Sequence, residues 1–334
     1  MTALRWITFA FAIAAVTFHP LEGKFWSDWR HFGKPPENLQ SSIGQVFEKY
    51  ASSVARVVCF CKVADGDVLE TRVSSGFFIG KTDMLITACG VVDDAQQIII
   101  ECGALSSEAD VVTKDPVSGL CVLQPQEKFD LQNGIDFTVE RRNALPSPTT
   151  LLLAIMCLTD SYPSPRLGMV TGKNISFGNT YFPTHYLRSD IATCGGMPGA
   201  PVFDLNGSCI GMVSASIPQI GECFLIPFNA ISRVVSDILA HGRVRYVHIG
   251  IRAQLNRDER ECCSIEVASI IPDSPASHSP IQVGDRLLAF NGTELHSIGD
   301  LCDAIFYSRP DGPIPIILAR ENEILSFTIC PMER

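Results

Sequence analysis

Residues 193–210 read TCGGMPGAPVFDLNGSCI, and the fold turns on how this stretch is built. Gly195, Gly196 and Gly199 make a loop, Pro201 to Leu205 a short strand, Asn206-Gly207 a tight turn, and Cys209 begins the next strand. Glycines permit backbone angles that other residues avoid, and Asn-Gly between apolar runs is a hairpin signal. A tight loop set between strands is well suited to exposing a nucleophile. This one has no serine. Cys194 stands at its edge, and Pro198, at its centre, carries no group that can attack.

The rest of the chain sets the limits of that reading. Its 334 residues, 46% hydrophobic and 19% charged, suffice for two or three domains with real cores and argue against disorder. A net charge of −10 argues against nucleic acid as a partner, because that binding relies on clustered Lys and Arg. No Gly-x-x-x-x-Gly-Lys-Ser/Thr phosphate loop is present. At the N-terminus, Arg5 precedes an apolar run from Trp6 to Phe18, which suits the core of a signal peptide and is short for a membrane span. Residues 1–23 are therefore expected to be a signal peptide or an N-terminal anchor, with export to the periplasm or the extracellular space. Residues 24–40 follow as a linker.

The 13 cysteines are an odd number, so in an oxidising compartment at least one is free or paired between chains. Most sit in apolar runs, as Cys59, Cys121, Cys209 and Cys302 do, and read as buried small hydrophobes. Cys59 and Cys61 would share a strand face, and Cys262 and Cys263 are adjacent. Without paired Cys-x-x-Cys sets, neither a metal nor a cofactor is expected.

Gln40 to Ala51 reads as a short amphipathic helix. From Val54 the pattern changes to short β-rich runs, among them VARVVCFCKV, GFFIG, MLITACGVV, QQIIIEC, LCVLQ and LLLAIMCL, split by Gly, Asp, Pro and Ser. Their spacing is that of an all-β barrel or sandwich. Asn229 to His241 reads as a helix with Asn229 as N-cap, Ile231, Val234, Val235 and Ile238 on one face, and Gly242 just past its end. A second unit of small-domain size follows, with strands, the turn VGDRLLAFNG and a helix over Ile298 to Ser308. Asp285 in that turn reads as structural. The segment from Asn256 to Glu261 reads as an exposed hairpin.

Four motifs resemble the HtrA/DegP group, in which a trypsin-like double β-barrel protease domain precedes a PDZ domain. Ser74 to Ile79 resembles the first-barrel strand. Leu85 to Val92 resembles the segment holding the catalytic His, and Asp115 to Leu123 the segment holding the catalytic Asp. Ser189 to Pro201, with FDLNGSCIG and FLIPFNAI, resembles the serine loop and the strands that close the second barrel. The resemblance implies a mainly β chain: a protease-like domain over 41–242 and a PDZ domain over 243–334. In that frame Gly90, Gly119 and Pro198 occupy the positions of the triad His, Asp and Ser.

The triad mechanism needs a hydroxyl, a base to take its proton and a group to hold the base's tautomer. Losing all three costs a serine protease roughly a million-fold in kcat. Proline at the nucleophile position also removes a backbone N–H that would help bind the oxyanion. Hence the expectation of a chain that is not an enzyme, a pseudopeptidase. Cys89 or Cys194 paired with His185 offers an alternative active endopeptidase with a rearranged, Cys-based site. A structural envelope protein is the third alternative.

The resemblance also implies that the PDZ unit binds protein or peptide C-termini by adding them as a strand to a sheet edge. Tyr246, Val247, His248, Ile249, Gly250 and Ile251 would form the carboxylate loop and following strand, with Ile249 and Ile251 lining the pocket and Leu301 and Ile305 on the opposite wall. The expected role is an extracytoplasmic peptide-binding scaffold in protein quality control. Trimers, with the segment near Phe47 as the place to look, or assembly with active HtrA relatives follow from the same resemblance.

Overall fold

The computed structural model describes residues 37–334 apart from 63–68, 81, 130–133, 138–144, 159, 178–179, 193 and 258–262. The expected signal segment, most of the linker and most of the 256–261 hairpin lie outside these residues.

Helix α1 (Glu37–Tyr50) opens the described chain, starting three residues before the apolar periodicity does. Its Val46 is buried, and Tyr50 stacks on Phe203 with ring centroids 4.2 Å apart and donates its hydroxyl to Gly207 O. Six strands then close a first barrel: β1 (Val54–Lys62), β2 (Leu69–Phe78), β3 (Leu85–Ala88), β4 (Ala95–Cys102), β5 (Leu105–Asp115) and β6 (Leu120–Pro125), in the order β1-β2-β3-β6-β5-β4. The strand expected through Val92 stops at Ala88, and Cys89–Val92 form the one-turn helix α2. Alternation alone could not show this, because Cys89 and Val92 are buried in either conformation.

A second closed barrel follows in the order β10-β11-β12-β9-β8-β7. It comprises β7 (Leu151–Met156), β8 (Ser164–Phe177), β9 (Thr180–Ser189), β10 (Pro201–Asp204), β11 (Cys209–Ile217) and β12 (Glu222–Pro227). Helix α3 (Phe228–His241) leaves this barrel. It begins one residue before the expected cap, with Pro227 rather than Asn229 at the N-cap, and ends on Gly242 in the left-handed region at φ 71°. Ile231, Val234, Val235 and Ile238 are buried as the periodicity requires, and so are Arg233 and Asp237.

The last unit is built from β13 (Val247–His248), β14 (Ile251–Arg257), β15 (Cys263–Ile270), β16 (Arg286–Phe290), β17 (Thr293–Glu294), α4 (Ile298–Phe306), β18 (Ile314–Arg320), β19 (Glu323–Ile329) and β20 (Met332–Glu333). Its main sheet runs β14-β15-β16-β18-β19, so β14 is an edge strand, while β13 pairs with β20. Asp285 is structural, as read: Arg320 donates to both its oxygens at 2.7 and 2.9 Å, and the Gln282 N–H donates at 2.7 Å. Burial pushes this carboxyl up, but Arg320 and Gln282 outweigh it and hold the carboxyl below its ordinary value.

Candidate functional site

Three loops converge where the barrels meet. Gly90 lies in α2, and the N–H of its neighbour Cys89 donates to Gly119 O at 2.8 Å across to the β5–β6 turn. Gly119 holds φ +75°, a left-handed turn position that suits glycine. The third loop, between β9 and β10, is seated on the first barrel through Ser75. The Ser75 N–H donates to Pro198 O at 3.1 Å, and its hydroxyl donates to Gly196 O at 3.0 Å. The Thr87 hydroxyl donates to Ser75 O at 2.8 Å, so β3, just ahead of α2, and the Pro198 loop share one hydrogen-bonded chain. Gly199, at φ +90°, approaches so closely that a Cβ there would sit 2.0 Å from Ser75 O. A Cβ at Gly90 would meet nothing within 4 Å.

Among the described residues, no hydrogen bond joins Cys89 or Cys194 to His185. Cys89 is buried, and burial and then Asp93 push its thiol up. Cys194 is half-buried, with its N–H on the sulfur of Met197. His185 is spent elsewhere. Its Nδ1 lies 2.7 Å from Asp303 Oδ2, its N–H donates to Asp303 Oδ1 at 2.8 Å, and the Thr184 hydroxyl donates to the same oxygen. Asp303 and Gly299 belong to α4, and a Cβ at Gly299 would sit 2.3 Å from His185 Nε2. The imidazole thus anchors α4 to β9.

A buried polar cluster stands behind the Gly119 turn, and sequence reasoning missed it. The Asp115 carboxylate accepts the Ser118 N–H at 3.2 Å, the Ser118 hydroxyl and the Tyr246 hydroxyl, while Tyr186 donates to Ser118 O at 2.9 Å. Tyr246 sits in the connection to the last unit. Its only sequence signal is an aromatic with a polar tip next to β13.

In that last unit, Gly250 holds φ +82° at the head of β14, and a Cβ there would fall 2.1 Å from the Ser274 side chain. Beyond it, Ile251 is half-buried and α4 packs alongside, with Ile298 and Ile305 half-buried against the core. Val247, Ile249 and Leu301 are all buried, and Ile249 and Leu301 belong to the core cluster of the unit. Val247 and His248 pair with Glu333 and Met332 of β20. Gly250 directly precedes β14, Ile251 begins it, and Ile305 lies on α4, which packs near that strand.

Residues 74–212 match the trypsin-like peptidase domain, and residues 247–330 match the PDZ domain. The chain is HtrA-like. It is 28% identical over 268 residues to a probable periplasmic serine endoprotease, DegP-like, of Pseudomonas fulva, with 75% of this chain and 53% of that protein aligned. It is 25% identical over 281 residues to the serine endoprotease DegS of Haemophilus influenzae, covering 80% of this chain and 79% of that one. The HtrA-type protease AlgW with a tripeptide superposes with a TM-score of 0.70 at 23% identity, covering 87% of this chain and 97% of that one. This HtrA-like chain spans about half the length of the DegP-like relatives it matches. The relatives are named serine endoproteases, and the match includes the peptidase domain itself. That corrects the expectation of a chain that is not an enzyme: it stands among proteases. Relatives among these are named periplasmic, and no described helix is long and apolar enough to cross a membrane.

Proposed function

We propose that the chain is an exported HtrA-type protein of protein quality control that captures polypeptide C-termini in its PDZ domain and holds them beside its trypsin-like barrels. The observation that carries this is the β14 edge, bare on one side in the sheet order, flanked by α4 and headed by Gly250 at φ +82°. An extended peptide adds there by main-chain hydrogen bonds, its last side chain set among Ile251, Ile298 and Ile305. Gly90, Gly119 and Pro198 fill the triad positions in this reading and bear no hydroxyl, thiol, imidazole or carboxylate. A nucleophile for peptide cleavage therefore has to come from another group in the cleft.

Fluorescence anisotropy with a panel of labelled peptides tests capture. Peptides with a free apolar C-terminus bind and their C-terminal amides do not, and Gly250→Trp abolishes binding. Equal binding of acids and amides sinks the reading. Digestion of unfolded casein, with serine- and thiol-reactive probes added in parallel, tests the peptidase step separately. A labelled residue whose alanine variant stops turnover identifies the nucleophile. Absence of both label and turnover removes that step and leaves capture to the anisotropy.

A further inference from the structure

Cys102 ends β4 of the first barrel, and Cys157 directly follows β7 of the second. Their sulfurs converge on one atom: Cys102 Sγ lies 3.6 Å from Val54 O, and Cys157 Sγ lies 3.8 Å from the same oxygen. The backbones around them are clamped as well. The Gly103 N–H donates to Ser161 O at 3.3 Å, the Ser161 hydroxyl donates back to Gly103 O at 2.5 Å, and Cys157 Sγ is 3.7 Å from Ser161 O. Cys157 is fully buried, with its N–H on Ser75 Oγ at 3.1 Å, while Cys102 is half-buried. A surface depression of about 340 Å³, lined by Arg56, Glu101, Gly103, Leu105, Asp160 and Ser161, opens beside this clamp.

Two thiols from different barrels, held to one carbonyl oxygen by fixed loops, are placed for a crosslink in a protein whose relatives are named periplasmic, a compartment where disulfides persist. We propose that Cys102 and Cys157 are a disulfide-forming pair that staples the first barrel to the second, oxidised by exchange with a small-molecule or protein disulfide. The Cys102 thiolate, on the reachable side, attacks the external disulfide, forming a mixed disulfide and expelling one thiolate. The Cys157 thiolate then attacks the Cys102 sulfur, forming the internal bond and expelling the second thiolate. Two protein thiols are oxidised, one external disulfide is reduced to two thiols, and the two protons pass to those thiols. Each sulfur gives up its weak hydrogen bond to Val54 O in closing. Burial pushes both thiols up, Cys157 to about 12, so exchange is slow at neutral pH and accelerates as pH rises.

The staple is independent of peptide capture and is tested on the full chain. The protein is incubated at mildly alkaline pH with oxidised glutathione or with dithiothreitol, quenched in acid, alkylated, digested and mapped by mass spectrometry. The expected result is a linked peptide pair containing Cys102 and Cys157 that dithiothreitol abolishes. Oxidation also raises Tm by roughly 5–10 °C, a gain kept by Cys330→Ser and lost in Cys102→Ser, whose half-buried position tolerates the change. Both cysteines recovered as alkylated thiols after oxidation, linkage of either to another cysteine, or an undiminished Tm gain in Cys102→Ser would each overturn the proposal.

Discussion

At Gly90 and Gly199 the same residue type serves opposite needs. Gly90 faces open space, so Gly90→His is expected to change stability by less than about 0.5 kcal/mol, as substitutions away from packed features usually do. Gly199 is wedged against Ser75 O at a positive φ, so Gly199→Ala is expected to cost roughly 3 kcal/mol or more through backbone strain and overlap. Urea denaturation of both variants checks the contrast, and similar midpoints would refute it. Asp303 poses a different residue-scale question. Burial pushes its carboxyl up, but His185 and Thr184 outweigh that and hold it below its ordinary value of 3.8. A carboxyl lowered in the folded state contributes stability above its unfolded value, and that contribution is lost as pH falls through the lowered value. Asp303→Ala is therefore expected to destabilise by about 1–3 kcal/mol near neutral pH, with the gap to wild type closing below about pH 4. Thermal melts of both proteins across that range measure it, and a gap independent of pH would exclude the ionised clamp.

On α3 the apolar face is legible in the sequence because Ile231, Val234, Val235 and Ile238 recur at helical spacing, and the structure buries all four. Arg233 and Asp237 share that burial, which hydropathy assigns to solvent. Their reason is tertiary: Arg233 Nη1 donates to Asp237 Oδ2 at 3.0 Å and Nη2 to Arg245 O at 2.7 Å, and Arg309 reaches Asp237 as well. Burial lowers the Arg233 guanidinium to about 10. The His185–Asp303 clamp is equally silent in sequence, since its partners lie 118 residues apart and neither forms a local motif. What sequence carries well is the order of strands and turns and the glycine-rich frame of the loops. What it carries poorly is which polar groups the fold later brings face to face. Asp237→Ala leaves the buried Arg233 charge without its carboxylate partner and is expected to cost about 3–5 kcal/mol. Replacing both partners by apolar residues, Arg233→Met with Asp237→Leu, is expected to cost less than the single change, because the stranded charge is gone. Denaturant midpoints of the single and double variants decide it, and a double variant weaker than Asp237→Ala would show that the pair itself stabilises the junction.

Across the whole molecule, the boundary between barrels and PDZ unit is packed as a core rather than left as a hinge. Phe306 of α4 is buried in the same cluster as Phe228, Ile231 and Val234, and the Arg233 guanidinium lies 5.2 Å from the ring centroids of both Tyr246 and Phe306. Tyr246 also ties the Gly119 turn to this junction through Asp115. Inter-domain contacts of this kind couple the two units, whereas a short polar linker would let them melt independently. The 42–334 body is accordingly expected to unfold in one calorimetric transition. Asp303→Ala together with Phe306→Ala removes the clamp and the inserted ring, and is expected to split the transition in two, the PDZ unit melting first because its small core buries a smaller share of its surface. Two transitions already present in the wild-type protein would show that the junction transmits too little energy to couple the last unit to the barrels. A single wild-type transition that splits in the double variant would locate the coupling at α4, the helix that packs near β14 and grips His185.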